Sequence, residues 1–422
     1  MLKPLPAGNA TFRHIIEGGF LYVDKTKWIY EMVRYAKGIY FLSRPRRFGK
    51  SLIVSTLEEI FLGNRQLFEG LWIYESDYQW QKHPVIRIDF SQKPVEDVDG
   101  LKLNIKTYLQ RIAEQNHVVL NEGRYYDQFD ELIYKLSARG QVVILIDEYD
   151  KPIIEHITNL EEAIKIRDTL KGFYNVIKAN DQYLRFVFLT GISKFSKVGV
   201  FSGLNNLTDI TMTPAYSDAL GITQDELLTY FPDYITRLAQ QEGLSNEELL
   251  ASIKKWYNGF CFSVRCKQVY NPYSLLRLFQ DNFFSNYWFA TGTPTLLIKL
   301  IKEQQYKLEQ IAELKAGLLD FSSYEVDKVK IIPILFQTGY LTIKHYNKQR
   351  NQFHLYYPNY EVESAFLEYF VDDLSAQGSK PTNDYLWQLT DALEKKELLI
   401  KYTKVHESTI RPSTTKQCEG SL

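Results

Sequence analysis

The stretch "GIYFLSRPRRFGKSLIVSTL", Gly38 to Leu57, decides how the chain folds. Residues 38–43 form a short apolar run bounded by Gly38 and by Ser-Arg-Pro, which suits a buried strand. After Ser51, apolar residues recur at helical spacing at Leu52, Ile53, Leu57, Ile60 and Phe61, and Gly63-Asn64 offers a stop. Strand and helix are joined by Arg44-Pro-Arg-Arg-Phe-Gly-Lys50. With Ser51 this run matches the end of the phosphate-binding pattern G-x-x-x-x-G-K-[ST], but Arg44 stands where its first glycine belongs. The strand–turn–helix setting is the one the pattern needs, because a helix N-terminus presents free N–H groups and partial positive charge to an anion. Lys50 would then neutralise β- and γ-phosphate oxygens of ATP, and Ser51 would ligate Mg²⁺. The expected nucleotide-binding run is Arg46, Arg47, Phe48, Gly49, Lys50, Ser51 and Leu52. A turn of Arg, Pro, Arg and Arg should be stiffer than a glycine-rich one and locally basic.

Outward from this unit, strands alternate with helices. His83 to Ser91 reads as a strand, 99–117 and 126–138 as helices, Val142 to Ile146 as an aliphatic strand, 160–179 as a helix and Leu184 to Ser193 as another strand. That alternation predicts an α/β fold, a parallel sheet with helices on both faces. The strand at 142–146 runs into Asp147-Glu148. A strand-end aspartate can hold the water shell of Mg²⁺, so Asp147 joins Ser51 as a candidate metal residue, and the adjacent Glu148 can act as catalytic base. The alternative is a solvated strand end. Asp150 reads as a turn residue or helix cap before Lys151-Pro152. Thr190 and Ser193 close the next strand, either sensing the γ-phosphate or capping the strand end. Glu148, Lys50 and Thr190 form the candidate catalytic set.

From Pro214 the texture changes to helical segments with small β elements. Asn258-Gly259 suits a hairpin turn, Asn271 and Pro272 suit the N-cap and first residue of a helix, 290–318 and 324–337 look helical, and 338–359 looks like a hairpin. The last ~20 residues are Ser- and Thr-rich with few large apolar groups and are expected to be poorly ordered.

Bulk properties narrow the function classes. A chain of 422 residues suggests two or three domains. The net charge of -1 gives no global field for nucleic acid or an anionic membrane, so a nucleic-acid partner would depend on a local patch such as Arg44, Arg46 and Arg47. Three cysteines provide no disulfide framework, and the seven histidines show no metal-ligand spacing. No apolar run approaches the ~18 residues of a membrane span, and the N-terminus lacks a signal core, so a cytoplasmic protein is expected.

The ordered set "LYVDKTKWIYEM" (Leu21 to Met32), "FLSRPRRFGKSLIVSTL", "VVILIDEYDKPI", "FVFLTGISKFSKVGVFSGLNNLTDIT", "WYNGFCFS", "VYNPYSLL" and "TGYLTI" resembles the AAA-ATPase-like family, bacterial P-loop proteins often fused to a C-terminal PD-(D/E)xK nuclease-like domain. The resemblance covers roughly residues 5–370. In that family the loop reads R-P-R-R-F-G-K-S. The resemblance implies a P-loop NTPase sheet of the additional-strand type, in which the Asp147 strand is not directly beside the loop strand. It also implies that Tyr22, Val23, Asp24, Lys25 and Thr26 lie where adenine would be enclosed, with Asp24 capping a helix from Thr26 as the alternative.

Three regions are expected. Residues 1–213 would be the P-loop domain, 214–375 a helical lid or winged-helix-like region, and 376–422 the truncated start of a nuclease-like domain with a disordered tail. "EKKELLIK" reads as helical rather than as a buried catalytic strand, so nuclease activity is not expected. The function implied is an ATP-binding, Mg²⁺-dependent, ATP-hydrolysing regulatory module with an unknown protein partner. The alternatives are a nucleic-acid-associated module of a mobile-element or defence system, or a truncated copy without biological output.

Overall fold

The phosphate-loop strand β1 (Gly38–Ser43) sits second from one edge of a five-stranded parallel sheet. The others are β2 (Val85–Asp89), β3 (Val142–Asp147), β4 (Leu184–Gly191) and the short β5 (Thr208–Asp209), in the order β2-β3-β4-β1-β5. β4 is therefore inserted between the loop strand and the strand ending in Asp147, which is the additional-strand arrangement. The computed structural model describes residues 2–195, 200–201, 204, 206–291, 314–321 and 331–375.

The composition of each strand explains its place. β3 is Val-Val-Ile-Leu-Ile-Asp and every residue is buried, as a parallel strand covered on both faces must be. The pairing Ser43↔Gly191 and Asp89↔Asp147 brings the carboxyl ends of four strands to one edge, the crevice where open α/β sheets take ligands. Helix α3 (Lys50–Phe61) follows the loop and packs on β2, β3 and β4, with α1 (Phe12–Glu17) behind it. Helices α4 (Val98–Gln115), α5 (Tyr125–Ser137) and α7 (Leu160–Ala179) form a mutually packed group that covers β2 and β3. Helix α2 (Thr26–Val33) precedes β1, and the short α6 (Lys151–Glu155) follows β3.

Beyond Pro214 come α8 (Gln224–Tyr230), α9 (Pro232–Glu242), α10 (Asn246–Tyr257) and α11 (Pro272–Asp281). Asn271 caps α11 by accepting from the Ser274 N–H at 3.0 Å, with Pro272 next to it. A small antiparallel sheet joins β6 (Leu314–Gly317), β8 (Gln352–Tyr356) and β7 (Thr342–Asn347) in that order. Helices α12 (Ile331–Thr338) and α13 (Tyr360–Ser375) flank it.

Two expectations need correction here. Residues 314–317, read as helical, form β6, whose partner β8 lies about 40 residues further on, so local periodicity could not reveal it. Asn258-Gly259 does not turn a hairpin. Asn258 ends α10, and the antiparallel contact begins after it, at Phe260 opposite Val269. Gly259 is needed for a close approach, because a Cβ there would lie 2.1 Å from the Pro358 carbonyl oxygen. A disulfide links Cys261 and Cys266 in this ribbon, a pairing that the odd cysteine count did not suggest. The expectations for 376–422, and for most of 290–318 and 324–330, lie outside the described residues.

The abundant aromatics serve the core. Phe12 stacks on Phe68 at 4.6 Å and Phe129 on Phe173 at 4.3 Å. One continuous apolar cluster runs from Phe12 through the sheet to Phe260, Trp288, Tyr340 and Phe366, and a second joins Leu21 to residues of α8 to α11.

Candidate functional site

The turn from β1 into α3 is shaped by backbone that ordinary side chains disfavour. Arg47 has φ +64° and Gly49 φ +91°, so the chain bends sharply before the α3 N-terminus. Arg44 points away from this turn. Its side chain is 1% exposed and donates to the carbonyls of Ser43 (2.9 Å), Thr211 (2.7 Å) and Tyr216 (3.0 Å), with the guanidinium 4.3 Å from the Phe262 ring centre. Burial lowers its pKa to about 9, partly offset by Asp209. Arg44 is therefore an internal clamp, and the glycine it replaces would have left those three carbonyls without this partner.

Lys50 begins α3 and is almost completely buried. Its ammonium donates to the Pro45 carbonyl at 3.2 Å and lies 3.5 Å from the Glu148 carboxylate. Glu148 leaves β3 with φ +51°, a left-handed conformation that glutamate adopts only when its surroundings impose it. Its N–H donates to Asp147 Oδ1 at 3.0 Å. Asp147 Oδ2 is buried with no hydrogen-bond partner. Burial raises the Asp147 pKa to about 6, Ser51 pulls it down, and Glu148 pushes it up again. A buried carboxylate oxygen that no donor meets in full hydrogen-bond geometry, with the Ser51 hydroxyl nearby, is free to turn to a hard cation with oxygen ligands, so Ser51 and Asp147 fit a Mg²⁺ site.

The loop borders a cavity of about 520 Å³ whose wall includes Arg46, Arg47, Gly49, Lys50, Ser51 and Leu52. Glu148, Lys151 and Ile192 close it on the sheet side. Two further walls were not legible in the sequence. The N-terminal strap contributes Pro6, Gly8, Asn9 and Ala10, and α11 contributes Pro272, Tyr273 and Leu276. The Arg47 guanidinium lies 4.8 Å from the Tyr273 ring centre. In the sequence "VYNPYSLL" reads only as a capped helix start, and the wall it supplies becomes visible only once α11 folds back on the loop.

A narrow apolar cleft of about 90 Å³ adjoins this cavity, sharing Pro6, Gly49, Leu52, Pro272 and Leu276 with it and adding Tyr22, Val23 and Ile222. Lys25, not Asp24, is the N-cap of α2; the Asp24 carboxylate, one residue before it, accepts from the Thr26 N–H at 2.8 Å and from the Trp72 N–H at 2.7 Å. Lys25 is taken up by Glu226 at 2.6 Å and by the Asp218 carbonyl.

Thr190, Phe48 and Asp147 are not on the wall of the 520 Å³ cavity, although Phe48 lines the adjoining apolar cleft. The Thr190 hydroxyl donates to the Leu42 carbonyl at 2.8 Å, tying β4 to β1. The Phe48 ring sits edge-on between Phe260 at 4.8 Å and Phe262 at 5.3 Å. Ser193 takes part through its backbone, its carbonyl accepting from the Tyr149 hydroxyl at 2.9 Å. The Arg46 carbonyl accepts from the Trp288 indole at 3.1 Å, so residues beyond 214 hold the loop directly. Among the described residues no helix is long and apolar enough to cross a membrane.

Comparison with known proteins agrees with this architecture. A family model described as "Predicted AAA-ATPase" matches residues 6–201. A protein of Azotobacter chroococcum mcd 1, described as "Uncharacterized protein in vnfD 5'region", is 40% identical over 372 residues, which is 87% of this chain and 69% of that relative. With the phosphate loop, the additional-strand sheet and this extent of similarity together, the chain belongs to the AAA-ATPase-like family.

Proposed function

We propose that the chain binds ATP with Mg²⁺ in the 520 Å³ cavity, hydrolyses it, and serves as a nucleotide-dependent regulatory module. One observation carries this reading: the orphaned Asp147 Oδ2 lies buried beside Ser51, at the head of a helix whose first residue is Lys50. Such an arrangement has a cost in a protein with nothing to bind there. Bound Mg²⁺ would neutralise charge between the terminal phosphates.

The chain's own residues supply the remainder. Lys50 exchanges the Pro45 carbonyl for phosphate oxygens, the α3 N–H groups receive the phosphate chain, and Arg46 and Arg47 add positive charge along the wall. Glu148 takes the proton of the attacking water. The apolar cleft behind Leu52, edged by Tyr22 and Val23, receives the base. Thr190 is given a supporting role, because its hydroxyl is already engaged across the sheet. The regulatory part of the proposal rests on Trp288 and Phe260, which touch the loop from the region beyond 214. A nucleic-acid role through Arg44 is not proposed, since its guanidinium is committed to three internal carbonyls.

Titration with a fluorescent ATP analogue tests the binding claim. Wild type should bind, and Lys50→Ala should lose at least about 2 kcal/mol, roughly thirtyfold in affinity, by removal of a charge-assisted contact. Asp147→Asn should lower Mg²⁺-supported turnover and raise the Mg²⁺ concentration it requires. Equal affinity in wild type and Lys50→Ala would refute the site.

A further inference from the structure

Asp150 follows the proposed catalytic base by two residues, and its side chain is fully buried. It occupies the N-cap position of α6 yet makes no cap hydrogen bond to that helix. Its carboxylate instead reaches across to the chain leaving β4. It accepts from the Ile192 N–H at 3.1 Å and from the Ser193 N–H at 2.5 Å.

The neighbouring tyrosine ties the same two segments together. The Tyr149 N–H donates to the Thr190 carbonyl at 3.0 Å, and its hydroxyl donates to the Ser193 carbonyl and accepts from the Phe195 N–H at 3.2 Å. On the far side, the Ser43 hydroxyl holds the Ile192 carbonyl and the Arg44 N–H holds the Gly191 carbonyl. Gly191 is the residue this lacing requires, because a Cβ there would lie 2.2 Å from Asp150 Oδ1 and 2.6 Å from the Tyr149 ring.

We propose that Asp150 is a positioning residue for Glu148: its carboxylate fastens the turn 147–150 to the backbone of Ile192 and Ser193 and so holds Glu148 at the phosphate end of the cavity. The inference rests on the ATPase reading above. Glu148 sits at φ +51°, and such backbone persists only where neighbouring contacts over-determine it. The contacts that do so are those of Tyr149 and Asp150. Both Asp150 oxygens face backbone N–H groups, so this carboxylate is a structural acceptor rather than a further metal ligand. Ile192 lines the cavity wall, so the tether also fixes the surface that faces the terminal phosphate.

The test is a double-mutant cycle on ATP turnover with Glu148→Gln and Asp150→Asn. An asparagine oxygen in the Oδ2 place can still accept from both N–H groups, but its NH₂ then opposes the Ile192 N–H that Oδ1 meets at 3.3 Å, and the charge that strengthens the grip is lost. Asp150→Asn should lower kcat by about tenfold to a hundredfold, as expected for a misplaced catalytic group, with KM changed by less than about threefold. In the Glu148→Gln background it should have little further effect, because there is no base left to misplace. Tyr149→Phe removes only the hydroxyl from the same grip and should give a smaller kcat loss with the same dependence on Glu148. It decides the matter if Asp150→Asn does not fold.

Equal losses in both backgrounds, or a fall in kcat matched by an equal loss of ATP affinity, would mean general damage and overturn the proposal. Undiminished kcat in both variants would do the same. Wild-type protein that binds ATP without turning it over would overturn the hydrolysis reading itself, which separates the two failures.

Discussion

At the residue scale, the three arginines of Arg44-Pro-Arg-Arg do different work. Arg44 faces the interior and bonds three carbonyls, whereas Arg46 and Arg47 line the cavity. Arg44→Ala should therefore lower stability by about 3 kcal/mol, since hydrogen bonds from a charged donor contribute roughly 1.5–3 kcal/mol each and the freed carbonyls stay buried. The readout is the urea unfolding midpoint. Arg46→Ala should leave that midpoint in place and weaken ATP-analogue binding, and the reverse pattern would refute the division. Lys50, Ser51, Asp147 and Glu148 were legible because each lies in a local pattern that carries its own strand or helix context. Arg44 was not, because its acceptors Thr211 and Tyr216 are more than 160 positions away in the chain and only the folded β5 edge brings them near. Thr190 stayed open between two readings for a related reason: a strand-end hydroxyl can face a ligand or the next strand, and only the β1–β4 register shows that it meets Leu42.

At the element scale, helices with long periodic faces were legible to within a residue or two, as α4, α5 and α7 show. The four-residue strand β6 was hidden, because a short "LKAG" segment has no period and its pairing is set by β8. The link from α13 to the loop through Trp288 was hidden too. Glu361, at the start of α13, is fully buried and accepts from the Ser274 hydroxyl of α11 at 2.8 Å and from the Trp288 N–H at 2.7 Å. The Trp288 indole in turn holds the Arg46 carbonyl. Trp288→Phe should weaken ATP-analogue binding by about fivefold, the equivalent of one ordinary hydrogen bond of ~1 kcal/mol. Burial pushes the Glu361 pKa up to about 8. A carboxyl raised in the folded state stabilises most below its unfolded value, and that stability is lost as pH rises through the folded value. The unfolding midpoint of wild type should thus fall from about pH 4.5 to about pH 8 and level off above that, while Glu361→Gln should show a flatter profile over the same range. A parallel decline in both proteins would remove Glu361 as the cause.

At the scale of the whole molecule, the parallel sheet and the region beyond 214 share one continuous apolar cluster. Phe48 packs on Phe260 and Phe262, and the Trp288 indole holds Arg46, so a change in the phosphate loop reaches residues far along the chain through direct contact. The α/β class followed from the alternation of elements, and the separation of the Asp147 strand from the loop strand from the family resemblance, whereas the joint walls of the cavity depend on the strap at Pro6 to Ala10 and on α11, which no local pattern announced. Saturating Mg²⁺-ATP at about a hundred times Kd should stabilise wild type by about 2.7 kcal/mol, raising its melting temperature, and should stabilise Lys50→Ala by no more than about 0.9 kcal/mol. The most direct test of ATP binding and hydrolysis at this site is the fate of radiolabelled ATP after incubation with Mg²⁺ and rapid gel filtration of wild type, Lys50→Ala and Glu148→Gln. Wild type should convert ATP to ADP, Glu148→Gln should elute with intact ATP bound, and Lys50→Ala should elute empty. Hydrolysis by Glu148→Gln at the wild-type rate, or wild type that neither retains nor converts ATP, would contradict it.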